Sequence, residues 1–322
     1  MLIFGLDKDP RFVAALAAQL DRPVSPHELR RFDDGECKLR PLVDPCGADV
    51  YVVHSLHGEA GDSPHDKLVR LLMFVAALRD HGAAQVTAVV PYMAYARKDR
   101  RTKPWDPLGL RYVAQMIECV GVDAVMAFEV HNVAAFENAF RRPTVHLEAH
   151  PVYDAVALDG AARGRLAVAS PDPGGVRRAQ LWHEHLEQRL GRAVGFAFCD
   201  KRRSGGQLGG TDLVAGDVAG ATVLLIDDLI VSGRTLQRAG QALRNAGAQR
   251  IVACAAHALF SEEAAVALGD DAIDEIVVTD SVPAPHAGGP GPWEALHRKL
   301  RVVSSVAPFA TALRRGHEGW RR

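Results

Sequence analysis

The stretch Thr222-Val-Leu-Leu-Ile-Asp-Asp-Leu-Ile-Val-Ser-Gly-Arg-Thr235 decides how this chain folds. Thr222 to Ile226 is a continuous β-branched and aliphatic run, the pattern of a strand buried on both faces. Asp227 to Arg234 reads as a loop. Leu236, Ala239, Gly240 and Leu243 then recur at helical spacing with Gly247 as the stop, before the next strand begins at Ile251-Val-Ala-Cys254. The same order occurs upstream. Val86-Thr-Ala-Val-Val90 reads as a strand, Pro91 to Pro107 as a loop, and Leu110, Val113, Ala114 and Ile117 as a helix face stopped by Gly121; Asp123-Ala-Val-Met-Ala-Phe128 resumes the strand pattern. Helices alternating with uninterrupted apolar strands predict an α/β fold of mainly parallel sheets flanked by helices, in two such halves.

The length agrees: 322 residues correspond to two domains of about 150 residues each. The boundary is expected between His146 and Ala157, after the Arg141-Arg142-Pro143 break, and Ala284 to Pro292 reads as a surface loop. With 38 basic and 39 acidic residues the net charge is −1, so no global field draws the chain to nucleic acid or an anionic membrane. Any phosphate must be held locally. Five scattered cysteines without a Cys-x-x-Cys pair suit a reducing compartment. No apolar run approaches the about 18 residues of a spanning helix, and Asp7, Lys8 and Asp9 interrupt the start before a signal-peptide core accumulates. A cytoplasmic protein is expected.

Ligands of open α/β sheets sit beyond the carboxyl ends of the strands, so the loops after Val90, Val130 and Ile226 are the places to look. Adjacent carboxylates such as Asp227 and Asp228 bind vicinal hydroxyls or hold Mg²⁺ through water. The turn Ser232-Gly233-Arg234-Thr235 offers helix-start amides and two hydroxyls to a phosphate. A sugar phosphate needs both halves. A lone Asp-Asp would instead be an acidic turn capped by Thr235.

The whole string resembles the phosphoribosyl-pyrophosphate motif of the phosphoribosyltransferase fold, with Ser232 in place of Thr and Arg234 in place of Gly. The rest of the chain resembles the ribose-phosphate diphosphokinase (phosphoribosyl-pyrophosphate synthetase) family. The resemblance is carried by Arg31-Phe-Asp-Asp-Gly-Glu36, Pro91-Tyr-Met-Ala-Tyr-Ala-Arg-Lys-Asp-Arg100, Glu129-Val-His131, Ser170-Pro-Asp-Pro-Gly-Gly175, Asp200-Lys-Arg-Arg203, His257-Ala-Leu-Phe-Ser261 and the tail from Val306-Ala-Pro308 to His317-Glu318. It implies two phosphoribosyltransferase-like domains: residues 1–147 plus 305–322 on the ATP side, with the last helix packed back on the first domain, and residues 148–304 binding ribose 5-phosphate. The reaction implied is transfer of the pyrophosphoryl group of Mg-ATP to the anomeric hydroxyl of ribose 5-phosphate, with release of AMP.

The same resemblance assigns roles. Lys201 and Arg203, in a glycine-rich segment, stabilise charge on the transferring phosphates. Arg97 and Asp99 belong to the ATP loop. His131 contacts Mg²⁺ or ATP phosphate, and Asp172 is a second Mg²⁺ contact. Asp227, Asp228, Ser232, Gly233, Arg234 and Thr235 bind ribose 5-phosphate. Phe32, Asp34 and Glu36 reach the adenine of an ATP held mainly by a neighbouring subunit, which makes the protein a homo-oligomer with a shared ATP site. Departures from the family pattern are Glu129 for Asp, Lys98 for Gln and Cys46 for the Arg of an allosteric phosphate site.

Two alternatives stay open at this level: a phosphoribosyltransferase acting on a base, and a catalytically silent regulatory relative. Arg97-Lys-Asp-Arg-Arg101 alone reads equally as a nucleic-acid patch, against which the neutral charge weighs. His183 and His185 at i, i+2 on a helix point to different sides, and His54 and His57 are expected at the surface.

Overall fold

A computed structural model describes residues 1–200, 213–284 and 291–319. The chain divides into two compact units, residues 1–148 with 305–322, and residues 149–304.

Unit 1 begins with β1 (Leu2–Gly5), α1 (Arg11–Gln19) and a hairpin of β2 (His27–Arg31) and β3 (Cys37–Pro41). β4 (Asp49–Val53), α2 (Pro64–Asp80), β5 (Gln85–Val90), α3 (Gly109–Cys119), β6 (Ala124–Phe128), α4 (Val133–Ala139) and β7 (Thr144–Leu147) follow. The main sheet has the order β1-β4-β5-β6-β7 and every pairing is parallel. The hairpin forms a separate two-stranded sheet. α2 starts on a capping box in which the Ser63 side chain and the Asp66 backbone and carboxylate satisfy one another, with Pro64 at the first helical position; such caps contribute about 1 kcal/mol. Its Leu68, Leu71, Phe74 and Leu78 join Leu110, Val113, Ala114 and Ile117 of α3 in one core, so the helix face read from the sequence is the buried one.

Unit 2 contains α5 (Asp154–Ala162), β8 (Leu166–Ser170), α6 (Val176–Leu190), β9 (Gly195–Asp200), β10 (Leu213–Ala215), β11 (Thr222–Ile230), α7 (Arg234–Asn245), β12 (Arg250–Ala258), α8 (Glu262–Gly269), β13 (Glu275–Thr279), α9 (Pro292–Lys299) and β14 (Leu300–Val303). The strand order is β10-β9-β8-β11-β12-β13-β14, parallel except for β10 against β9. The last helix, α10 (Val306–Gly319), belongs to unit 1 and packs on α1, where the Phe12 and Phe309 rings meet edge to face at 5.4 Å and Arg314 donates to the Gln19 carbonyl.

One reading is corrected. The strand that begins at Thr222 does not give way to a loop at Asp227 but continues to Ile230, with Asp227 opposite Ala255, Leu229 opposite His257 and Ile230 opposite Ala258. The apolar residues on both sides of the acid pair, together with an equally long β12, carry the ladder through it. Pairing with β8 on the other side ends at Leu225 opposite Ala169. The two carboxylates therefore sit on a strand extension laddered along one edge.

Candidate functional site

In unit 2, Asp227 and Asp228 stand at the carboxyl end of the central strand, with Asp228 buried and Asp227 partly so. The Asp228 amide donates to the Asp227 carboxylate at 2.9 Å. Burial pushes the Asp227 carboxyl well above its usual range, and the neighbouring Asp228 charge adds to this. The pair holds more negative charge than its surroundings accept, and a cation or sugar hydroxyls would relieve it.

Ser232 and Gly233 form the turn into α7, whose first residues are Arg234 and Thr235. Gly233 has φ +71°, and a Cβ there would come within 2.6 Å of Leu268 Cγ, so conformation and space both demand glycine. α7 begins at Arg234 without a side-chain cap, which leaves its first-turn amides for other acceptors. The cap position is Gly233, so Thr235 does not cap α7. The turn is held from behind: the Leu259 and Ser261 amides donate to the Ile230 and Val231 carbonyls, both at 2.9 Å. Arg234 is exposed and pairs with Glu263 at 3.1 Å.

Asp172 lies beyond the end of the adjacent strand β8, where its carboxylate accepts from the Gly174 and Gly175 amides at 2.9 and 3.3 Å. A Cβ on Gly175 would approach Ser170 Oγ to 2.7 Å, so the turn stays tight. One residue that the sequence reading missed joins these parts. Arg178, in the first turn of α6, places its guanidinium 3.9 Å from Asp227 and 4.0 Å from Asp228, and lowers the Asp227 pKa against burial. Its signal was an arginine one helical turn past Gly-Gly, easily read as solvated.

In unit 1, Arg97 and Asp99 follow β5 and His131 follows the adjacent β6. Asn132 bridges the loops by donating to Asp99 at 2.7 Å while capping α4 through the Ala135 amide. Arg97 and His131 are exposed. Lys98, at the departure from the family pattern, is turned to Asp106 at 2.5 Å. Tyr95 and Glu129 adopt φ +64° and +42°, conformations that cost non-glycine residues of order 1–3 kcal/mol and cluster at working sites. His146 of β7, also missed, accepts from the Val130 amide at 3.2 Å and steadies the strand exit before His131.

Phe32, Asp34 and Glu36 occupy the exposed tip of the β2–β3 hairpin, not the β5–β6 edge. Asp34 accepts from the Glu36 amide at 3.0 Å and shapes the turn, and the Arg30 guanidinium lies 5.0 Å from the Phe32 ring centre. Lys201 and Arg203 lie outside the described residues, which end at Asp200 and resume at Leu213, opposite one another in the β9–β10 pair.

His54 and His57 are not at the surface. They are 0% and 4% exposed, beside β1 and α2, where His54 Nδ1 meets Asp7 at 2.9 Å and His57 Nε2 meets Lys67 at 3.2 Å. The buried Lys67 ammonium also meets Glu59 at 2.8 Å. Partners remote in sequence made this burial possible.

Comparison with known proteins agrees with the geometry. Residues 1–121 match the N-terminal domain of ribose phosphate pyrophosphokinase, and residues 211–319 match the phosphoribosyl synthetase-associated domain. Ribose-phosphate pyrophosphokinase of Caldanaerobacter subterraneus subsp. tengcongensis is 33% identical over 98% of this chain and 95% of its own. That of Pasteurella multocida is 33% identical over 97% and 95%. The crystal structure of phosphoribosylpyrophosphate synthetase from Mycobacterium smegmatis superposes with a TM-score of 0.85 at 28% identity, covering 98% of each chain, so each unit is a phosphoribosyltransferase-like fold. With relatives matched over almost the whole of both chains, the chain belongs to the ribose-phosphate pyrophosphokinase family.

Proposed function

We propose that the chain transfers the β,γ-pyrophosphoryl group of ATP to the anomeric hydroxyl of ribose 5-phosphate, giving 5-phosphoribosyl 1-pyrophosphate and AMP. The observation that carries this is the Asp227–Asp228 pair at a strand end, followed by the Gly233 turn and an uncapped helix start. It offers diol-binding carboxylates beside a phosphate-binding turn. A transferase acting on a base is not favoured, since one such unit suffices for it, whereas synthetases cover both units here.

In the reaction the sugar oxygen attacks the β-phosphorus. The bond from that phosphorus to the oxygen bridging to the α-phosphate breaks, that oxygen leaves with AMP, and the hydroxyl proton passes to solvent. In-line displacement of this kind asks for alignment and positive charge. Asp227 and Asp228 hold the ribose hydroxyls while Ser232, Gly233, Arg234 and Thr235 hold the 5-phosphate. Arg97, Asp99 and His131 hold ATP. Lys201 and Arg203 neutralise charge that grows on the transferring group.

The donor set suits Mg²⁺. Among the described residues no group of three or more His, Cys, Asp or Glu side chains forms a cage, and Mg²⁺ prefers one or two carboxylates together with substrate phosphates and water. Asp172 in unit 2 and His131 in unit 1 would each hold a Mg²⁺ ion, which would neutralise phosphate charge.

Phe32, Asp34 and Glu36, on a hairpin apart from the β5–β6 loops, fit a role toward the adenine of an ATP held by another copy, which makes the working protein a homo-oligomer. No helix among the described residues is long and apolar enough to cross a membrane, and the cysteines are free; we assign the protein to the cytoplasm.

The test is direct. Purified protein with ribose 5-phosphate, ATP and Mg²⁺ should release AMP in step with 5-phosphoribosyl 1-pyrophosphate. Absence of AMP would overturn the proposal.

A further inference from the structure

The β2–β3 hairpin is a two-stranded sheet of its own, and its residues are half-buried or exposed. A two-stranded hairpin is marginal in water by itself, so whatever holds the strand ends beside its turn, where Arg31 pairs with Cys37, decides where the tip, residues 32–36, is presented. The last residue of β2 is Arg31. Its Nη2 donates to both carboxylate oxygens of Asp62 at 2.8 Å, and its Nη1 lies 3.5 Å from the Gly61 carbonyl.

Asp62 is built as a hub. Its side chain has no exposed surface, yet it also receives Arg70 of α2 at 2.8 Å and Lys8 beyond β1 at 3.2 Å. Its backbone exchanges hydrogen bonds with Glu59 at 2.9 and 3.0 Å. Burial alone would raise its pKa, but hydrogen bonds from Arg70 and Arg31 hold it well below the usual carboxylate range. Cations from three separate elements thus converge on one buried carboxylate. Of the three, only Arg31 reaches the hairpin, and it does so between Arg30, which covers the Phe32 ring, and Phe32 itself.

We propose that Asp62 is a positioning residue for ATP, acting through Arg31 to fix the orientation in which the hairpin tip is offered to adenine. The inference rests on the assignment of Phe32, Asp34 and Glu36 to adenine made above. A buried salt bridge kept only for stability would affect every kinetic constant through the amount of folded protein. A positioning role instead concentrates the loss on ATP.

The test compares steady-state constants of four variants of the full-length protein: Asp62→Asn, Arg31→Gln, Phe32→Ala and the Arg31→Gln/Phe32→Ala double. Arg31→Gln cuts only the hairpin arm and leaves Asp62 with Arg70 and Lys8, so it carries the test where Asp62→Asn does not fold. Asp62→Asn and Arg31→Gln should each raise the KM for ATP about tenfold, with kcat and the KM for ribose 5-phosphate within about twofold of the parent. The double variant should be no worse than the more impaired single one, because both changes act on the same tip. If Phe32→Ala raises the KM for ATP while Arg31→Gln and Asp62→Asn do not, the hub is only structural and the proposal fails, with the adenine assignment intact. Multiplying effects in the double variant, or equal loss on both substrates, overturn it as well. An unchanged KM for ATP in Phe32→Ala removes the adenine assignment itself.

Discussion

Arg178 Nη1 stands 3.9 Å from Asp227 Oδ1, and the same guanidinium reaches within 4.0 Å of Asp228. It opposes the burial and like charge that push the Asp227 carboxyl up. Arg178→Gln should therefore raise that pKa further, so that affinity for ribose 5-phosphate is lost at a higher pH as the solution is acidified. Calorimetric titration of the sugar phosphate at fixed Mg²⁺ between pH 5 and 8 checks this. A midpoint that does not move upward contradicts the role given to Arg178.

Gly233 is expected to tolerate no side chain. In Gly233→Ala the Cβ must enter at φ +71° and within 2.6 Å of Leu268 Cγ, a combination that should cost about 1–3 kcal/mol and distort the turn before α7. Weaker binding of ribose 5-phosphate and a lower unfolding temperature should appear together. Wild-type values for both would mean that the turn has another conformation open to it.

Lys201→Ala should lower kcat by about 10² or more while the KM values for ATP and ribose 5-phosphate change little, if its contact strengthens as charge migrates. Arg203→Ala should behave alike. Rapid-quench measurement of AMP formation separates the chemical step from product release, and a loss confined to KM would restrict the lysine to ground-state grip.

Asp228→Asn keeps the shape of the pair and removes the buried member's charge. Affinity for ribose 5-phosphate should fall about tenfold or more, as for a charged hydrogen-bond acceptor lost from a buried site, with little change for ATP. Equal weakening of both ligands, measured by calorimetry with each alone, would count against its assignment to the sugar.

Acid should weaken unit 1 before its carboxylates titrate. Burial, aided by the Lys67 charge, holds His57 down at about 4, whereas the unfolded chain binds that proton near pH 6.5. Stability is whole above about pH 6.5, and up to roughly 3 kcal/mol of it is lost as pH falls toward 4, because the unfolded state takes up the proton first. His27 is lowered in the same direction, chiefly by burial, so His57→Asn should flatten the slope without abolishing it. Urea midpoints followed by hydrogen exchange in α2 peptides at several pH values measure this; a slope unchanged by the substitution would exonerate His57.

How much was legible in advance depended on range. The helix face of Leu110, Val113, Ala114 and Ile117 and the strand from Val86 to Val90 were readable because periodicity is local. The end of β11 was misread because an acid pair signals a loop locally, whereas β12 extends to Ala258 and carries the ladder through. Arg178 carries no local signal in the sequence, since only the packing of α6 beside β11 brings it to Asp227. The surface expected for His54 and His57 fails because Asp7, which meets His54 inside, lies 47 residues away, and Lys67, which meets His57, comes from α2.

The order of residues by itself determined the α/β alternation, the acid pair followed by a glycine turn, and the family, since these depend on neighbours within a few positions along the chain. Tertiary structure alone decided which charges are buried and what they face: Asp62 gathering Lys8, Arg31 and Arg70, and Arg178 opposite Asp227 and Asp228. The physical reason is that the cost of burying a charge depends on partners brought close by folding, and that proximity is not written in sequence separation.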